Sequence, residues 1–144
     1  MKTFTIGRTK YSENHELQFA FYVVGDNPYE RIAITAKNTE TGEPSLTITC
    51  NFPELEVNPG HVWVKSWGEN QGVLAAMIEA KIGTLTGRRT AAGHVTSHEL
   101  KLSDAVFKEA RRCIAELRKL ETIAKAVNAD ETPTREGRSN NASR

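Results

Sequence analysis

Residues 61–93 restrict the fold more than any other part of the chain, because three different local patterns follow one another within them. Residues 61–65 alternate Val62 and Val64 with other side chains, as a β-strand does. Ser66-x-x-Glu69 then fits a capping box, in which each side chain accepts a hydrogen bond from the other residue's backbone amide at the start of a helix. A helix this close to a strand packs against its sheet, so the stretch predicts an α+β domain.

The predicted first helix has an apolar face, and we expect a turn and a last strand after it. Gly83 stands where a helix commonly ends on a left-handed residue. A turn at residues 86–93 and a strand at residues 94–102 are predicted to follow. The apolar face consists of Val73, Leu74, Met77, Ile78 and Ile82.

Segments before residue 61 supply the other predicted strands. Residues 16–24 alternate apolar and polar side chains with the period of two that is typical of strands. A predicted turn at residues 25–28 follows the strand at residues 16–24. A predicted hairpin loop at residues 38–44 separates the next two strand candidates. The sequence therefore predicts an antiparallel sheet of four to six strands, one short packed helix and one long C-terminal helix. The remaining strand candidates are residues 2–6, 29–36 and 45–52, the last with Leu46, Ile48 and Cys50 on one face.

The long helix is predicted to begin at Ser103 and Asp104 and to end near residue 128, with an apolar stripe on one side. At 1.5 Å per residue it would be about 36 Å long, which is long for a domain of this size. Its stripe continues past the part that such a sheet can cover, which predicts a homodimer through this helix. The residues of this continuation are Leu117, Leu120, Ile123 and Val127.

The composition fits one domain with a tail and gives no general preference for a partner. The chain has 144 residues and a net charge of +1, which favours neither nucleic acid nor a membrane surface. We predict a single α+β domain at residues 1–128. Residues 129–144 contain no large apolar side chain and are predicted to be a disordered C-terminal tail.

The cysteines and the N-terminus both indicate a cytoplasmic protein. Cys50 and Cys113 are too few for a disulfide framework or a zinc pattern, so we interpret them as buried thiols in a reducing compartment. The first residues lack the apolar segment of a signal peptide. No run approaches the ~20 apolar residues that cross a bilayer, so we expect no membrane partner.

Trp67 and Asn70 are the first candidate binding residues, because they stand at the start of the first helix. An aromatic anchor beside an amide and the free N–H groups of a helix N-terminus could recognise a partner. The alternative, which we favour, is structural: Trp67 would close the edge of the core and Asn70 would satisfy the turn.

Arg88 and Arg89 are the second candidates. Two adjacent arginines in a glycine-bounded turn could bind a phosphate or a carboxylate through bidentate hydrogen bonds. The alternative is a solvated turn in which Arg88 pairs with Glu69 or Glu79. The order of residues excludes a P-loop.

Arg111, Arg112 and Arg118 are the third candidates, since they share the long helix and could contact a nucleic-acid backbone. Interspersed glutamates, such as Glu109 and Glu116, instead favour a solvated face of mixed charge. The sequence predicts no catalytic group and no cofactor. It also predicts no metal site, because the four histidines are not spaced as ligands of one metal ion.

Residues 46–102 resemble a small uncharacterised family encoded on phages, plasmids and integrative mobile elements. The resemblance rests on Glu69-Asn70-x-Gly72 at the helix start, Thr86-Gly87-Arg88 after the helix, and Gly93 before the last strand. The chain departs from the family at His94, where an aromatic residue is usual, and in the long helix after Leu102. The resemblance implies a mobile-element accessory protein that acts by binding.

Two classes of function follow from these observations. The first is a non-enzymatic phage or mobile-element protein that binds a host protein or nucleoprotein, for example an inhibitor of a host defence nucleoprotein such as a CRISPR effector. The second is a nucleic-acid-binding accessory protein that uses Arg88, Arg89 and the basic face of the long helix. An arginine-dependent enzyme for an anionic small molecule is a third alternative, which would need a pocket around Arg88.

Overall fold

The computed structural model describes residues 2–7, 14–23 and 31–136, with side chains as far as residue 129. The predicted turn at residues 25–28 lies outside this part. The strands are β1 (Thr5–Ile6), β2 (His15–Phe21), β3 (Ile32–Asn38), β4 (Pro44–Thr47), β5 (Thr49–Cys50), β6 (His61–Val64), β7 (Gly83–Ala92) and β8 (Val95–Leu102). The helices are a 3-10 turn at Gly68–Asn70, α1 (Val73–Glu79) and α2 (Asp104–Glu136).

The predicted α+β class is confirmed, and the described strands are divided between two antiparallel sheets of four. The first sheet has the order β1-β2-β3-β4, and the second has the order β5-β6-β8-β7. Ile48 joins the two, because its amide donates to the Ile34 carbonyl in the first sheet while its carbonyl accepts from the Lys65 amide after β6. One extended segment, residues 44–50, therefore passes from one sheet to the other.

A single apolar core lies between the sheets and the helices. It takes alternate residues of β2 and β3, the buried face of α1 and the first part of α2, which packs on β2. Ile34, Val64 and Met77 are fully buried within it. Only alternate residues of a strand face the core, so the other face of the β5-β6-β8-β7 sheet lies outside it. That second face holds a polar cluster.

The predicted capping box and the predicted helix stop were both wrong. The side chains make no cap hydrogen bond at the start of α1, whose N-cap is Gly72 with φ 92°. Glu69 instead accepts a hydrogen bond from Lys65 Nζ at 2.8 Å. Lys81, with φ 61°, takes the left-handed position after α1, and Gly83 begins β7.

The predicted turn at residues 86–93 was also wrong, because most of it belongs to a strand. β7 continues to Ala92, and the reversal is confined to Gly93 and His94. The register against β8 shifts between Leu85 and Arg89, so β7 contains a bulge in which Gly87 has φ 93°. Glycine at this point lets the strand take a conformation that other residues adopt at a cost.

α2 is longer than predicted, since its backbone is helical to Glu136. The helix thus includes the first residues of the predicted tail, and residues 137–144 lie outside the described part. No helix in the described ranges is both long enough and apolar enough to span a membrane.

Candidate functional site

Asn70, one of the two candidate binding residues at the start of the predicted first helix, has a structural role. It is fully buried, and its Nδ2 atom donates to the carbonyls of Thr47 at 2.5 Å and Lys65 at 3.1 Å. These bonds fasten the 3-10 turn to β4 and to the end of β6. Trp67 is half-buried beside it. Asn70 is therefore withdrawn from solvent and cannot contact a partner at the surface.

Arg88 and Arg89 project from opposite faces of β7, because consecutive strand residues alternate. Arg88 lies toward Glu99 on β8: Nη1 donates to Glu99 Oε2 at 2.9 Å. Arg89 is opposite His98, on the other face, and has no ion pair within the described residues. The two arginines therefore do not bind one anion together, as the predicted turn would have allowed.

The carboxylate of Glu99 is the centre of a buried polar cluster. Glu99 is 1% exposed, and its second oxygen accepts from Thr86 Oγ1 at 2.6 Å. The Arg88 guanidinium also lies 5.4 Å from the centre of the Trp63 ring, a cation–π contact. Trp63 packs edge-to-face on Phe52. The bulge in β7 brings both Thr86 and Arg88 to this one carboxylate.

The contact between Arg88 and Glu99 bears on the alternative interpretation of Arg88, in which its guanidinium pairs with a carboxylate of this chain. Arg88 pairs with a structural carboxylate, but the partner is Glu99 rather than Glu69 or Glu79. The pairing of β8 with β6 could have indicated Glu99 as the partner of Arg88, because Glu99 and Trp63 are register partners on these two strands. Nevertheless the Arg88 side chain is 46% exposed, so part of the guanidinium still faces solvent.

Strand β7 is the exposed edge of the second sheet. Within the described residues it pairs with β8 alone. Six consecutive residues from Thr84 to Arg89 are exposed, and Leu85 is 50% exposed. Ile78 on α1, the element that packs beside β7, is 39% exposed. The edge thus combines unpaired backbone groups, two arginines and an apolar flank.

The three candidate arginines of α2 have different surroundings. Arg112 donates from Nε and Nη2 to the Glu109 carboxylate, with the shortest distance 2.7 Å. This pairing, with a hydrogen bond from the Lys2 amide, lowers the pKa of Glu109 to about 2. Arg111 lies over the Phe107 ring at 5.4 Å. Arg118 is exposed.

The cations of α2 share the solvent face. Successive residues of an α-helix are rotated by about 100°, so the six cations whose side chains are described fall within roughly 140° of one another. Glu109 and Glu116 lie toward one flank, where Glu116 is 3.8 Å from Lys119. Helical geometry therefore places these two glutamates along one border of the cations that alternate with them in the sequence. The ridge consists of Lys108, Arg111, Arg112, Arg118, Lys119 and Lys125.

Two open grooves run beside α2. One, of about 440 Å³, lies between α2 and β2 and is lined by Leu17, Glu109 and Leu117 among others. The other, of about 390 Å³, lies between α2, β3 and the residues before β6, with Phe107 and Arg111 at its wall. In the described ranges no group of three histidine, cysteine or acidic residues could hold a metal ion.

The two thiols are poor nucleophiles. Burial raises the pKa of Cys113, and the neighbouring Glu109 carboxylate raises it further. Burial likewise raises the pKa of Cys50, which lies 3.5 Å from Ser97 Oγ. Because the thiolate is the reactive form, both cysteines are less reactive than free cysteine.

Comparisons with known proteins add no relative to this description. No protein-family model, no curated protein and no solved structure matches the chain.

Proposed function

We propose that this is a non-enzymatic binding protein whose β7 edge pairs with an extended, acidic segment of a partner protein. The observation that carries the proposal is the outer edge of the ten-residue strand β7, which pairs with β8 on its inner edge and with no other described strand. The outer backbone groups of such an edge can bind a further strand, and side-chain contacts then give specificity.

Charge complementarity indicates the chemistry of the partner. β7 carries Arg88 and Arg89 and no acidic residue, and the nearest buried acid, Glu99, already binds Arg88. Because the two arginines face opposite sides, acidic side chains on both faces of an added strand would each meet one guanidinium. Leu85 and Ile78 offer an apolar contact on one side. The bulge at Gly87 leaves Arg89–Ala92 as the straight part of the edge.

The resemblance to mobile-element proteins supports a host protein or nucleoprotein as the partner. An accessory protein of this type would act by occupying a surface that a host enzyme needs, as an inhibitor of a CRISPR effector would. The first question for an experiment is therefore whether the partner is a protein or a nucleoprotein.

The test is a pull-down from nuclease-treated host lysate with the wild type, Arg89→Glu and Lys125→Glu. The two variants make the same change of charge, one on β7 and one on α2. We expect a protein partner that Arg89→Glu loses and Lys125→Glu retains. Addition of the purified partner should then slow hydrogen exchange at the amides of Arg89–Ala92. Unchanged exchange there would contradict the proposal.

The alternative function is nucleic-acid binding, which the cationic ridge of α2 favours. Binding through phosphates weakens steeply between about 50 and 200 mM salt, because bound counterions are released. A ridge mechanism predicts that Lys125→Glu and Arg118→Glu lose the ligand and that nuclease removes it. Retention in both variants would leave the protein-binding function as the better account.

A further inference from the structure

The hydrogen bonds of β8 determine which backbone groups of β7 face outward. In an antiparallel pair, alternate residues exchange both backbone hydrogen bonds with the residue opposite, and the residues between them point their N–H and C=O groups away. The Leu102 amide donates to the Gly60 carbonyl, which precedes β6. The Ser103 amide donates to the Ile82 carbonyl, which precedes β7. Even-numbered residues of β8 therefore bond to β6, and odd-numbered residues bond to β7.

This alternation assigns the outer backbone groups at the end of β7 to Arg89 and Ala91. Thr90 is the register partner of Ser97, an odd-numbered residue of β8, so Thr90 bonds inward. Arg89 and Ala91 are opposite even-numbered residues, which bond to β6. The N–H and C=O groups of Arg89 and Ala91 therefore point to the outer edge, where both residues are exposed.

The hairpin turn after β7 gives the same assignment independently. Ala92 and Val95 are register partners that flank a two-residue loop. Gly93 has φ 67°, whereas His94 does not have a positive φ, which fits a type II′ turn with glycine at its first central position. The residues that flank such a turn are hydrogen-bonded to each other. Ala92 therefore bonds inward, and Ala91 before it bonds outward.

The bulge in β7 limits the length of the strand that can be added. The register of β7 shifts between Leu85 and Arg89, and Gly87 in the bulge has φ 93°. A bulge interrupts the regular ladder, so pairing along the outer edge stops at Arg89. An added strand bonds to both backbone groups of Arg89 and to both of Ala91, which a segment of about three residues can span.

On the basis of the proposed function, we infer that the partner's segment pairs antiparallel with residues 89–91 and places an acidic side chain directly opposite Arg89. Side chains of directly opposed residues lie on the same face and close together, so opposite charges at such positions attract. Arg88 is shared with Glu99, whereas Arg89 has no ion pair within the described residues. The residue opposite Arg89 is therefore the position that selects the partner.

The antiparallel direction follows from the shortness of the site. In an antiparallel pair, the residue opposite Arg89 both donates to it and accepts from it. In a parallel pair, the bonds slant to the two neighbours of the opposite residue, and the pairing is slightly less stable per residue. A site with so few outward groups favours the arrangement that is more stable per residue. The described strand pairs of both sheets are likewise antiparallel.

The probe is a blocked synthetic peptide of about seven residues, with one central Asp among Val and Thr residues. Its binding to the isotope-labelled full chain is measured by NMR, and the amide signals of Arg89 and Ala91 should shift most. Two further peptides carry an N-methyl group, one on the Asp amide and one on the next amide. The Asp N–H points to the Arg89 carbonyl and the next N–H points away. The first methyl group should therefore weaken binding about tenfold and the second only slightly.

Ala91→Pro makes the matching change in the protein. Proline is tolerated on an edge strand where the missing N–H would face solvent, so circular dichroism and thermal unfolding should show a folded variant. It should bind the Asp peptide about tenfold more weakly, because one outward donor is lost. Ala91→Val keeps the donor and should bind as the wild type does. A peptide with Lys in place of Asp should not bind.

A wrong arrangement and a wrong function give different results. Weakening by the second methyl group alone would mean a parallel strand or an acid opposite Thr90. That result, or wild-type binding by Ala91→Pro, would overturn the inferred arrangement and leave the proposed function standing. Equal binding of both N-methylated peptides, binding of the Lys peptide, or no binding of the Asp peptide would overturn the proposed function as well.

Discussion

Arg88 and Glu99 bind each other across β7 and β8, with Nη1 of the arginine 2.9 Å from Oε2 of the glutamate. The carboxylate is 1% exposed, whereas the guanidinium reaches solvent and covers the Trp63 ring. A buried carboxylate is tolerated when it is paired and its oxygens accept hydrogen bonds, as both do here. The stability of the second sheet therefore depends on this pair.

Arg88→Ala should destabilise the protein by about 2 kcal/mol. Removing one partner of a buried pair costs about 3–5 kcal/mol, and the exposure of Arg88 reduces that figure because water can reach the carboxylate afterwards. Urea unfolding measures the change. Arg89→Ala is the matched control: its side chain has no ion pair in the described part, so we expect a change within about 0.5 kcal/mol. Equal losses in the two variants would refute this role of Glu99.

Local sequence patterns predicted the strands and helices whose apolar residues recur with a clear period. The alternation at residues 16–24 and 61–65 identified β2 and β6, and the apolar spacing identified α1 and α2. Division into two sheets was not predictable, because it depends on hydrogen bonds of Ile48 to residues far away in sequence. Leu46 and Ile48 lie in the apolar core, whereas Cys50, which was predicted to share their face, is half-buried and is the register partner of Trp63.

The site was less predictable than the fold, since it depends on which residues meet across strands. Glycine at positions 87 and 93 suggested a turn, but a bulge and a two-residue reversal use the same residues. Once residues 86–92 are a strand, Arg88 and Arg89 separate to opposite faces and Glu99 becomes the partner. No pattern of residues on β7 alone contains that information.

Asn70→Ala should cost about 2–3 kcal/mol. The substitution leaves the carbonyls of Thr47 and Lys65 buried without the Nδ2 donor and opens a small cavity. The midpoint of thermal unfolding is the measurement. Glu69→Ala, one residue earlier, removes only an exposed ion pair with Lys65 and should lower the midpoint far less than Asn70→Ala does. A small effect of Asn70→Ala would mean that the 3-10 turn is not fastened to β4 as described.

His15 should make the protein less stable as the pH falls below 6.5. It is fully buried, with Nδ1 3.0 Å from Ser45 Oγ, and burial lowers its pKa from the ordinary 6.5. Above pH 6.5 both the folded and the unfolded states hold a neutral imidazole. Below it the unfolded state takes up the proton first, so the free energy of unfolding decreases until the folded state is protonated too.

Unfolding titrations of the wild type and His15→Gln check this expectation. In the variant, the free energy of unfolding should not show the decrease that begins at pH 6.5 in the wild type, whatever the stability of the variant at neutral pH. Glu109 does not interfere, because its pKa of about 2 lies below the ordinary 4.5 and the stability that it contributes is lost only as the pH falls from 4.5 toward 2. An unchanged slope between pH 7.5 and 5 in His15→Gln would rule out His15 as the cause.

Gly83→Ala should destabilise the start of β7 by about 2–3 kcal/mol, since extra volume at a packed position forces backbone movement. A Cβ atom at residue 83 would lie 2.5 Å from the Lys101 carbonyl oxygen and 2.9 Å from Leu100 Cγ. The first of these neighbours is backbone and cannot rotate away. Gly7→Ala is the control, because among the residues that the structure describes no atom beyond its chain neighbours lies within 4 Å of its Cβ position, and it should change the free energy of unfolding by less than about 0.5 kcal/mol. Chemical denaturation of the two variants compares them directly, and similar stability would show that β7 and β8 approach less closely at this point.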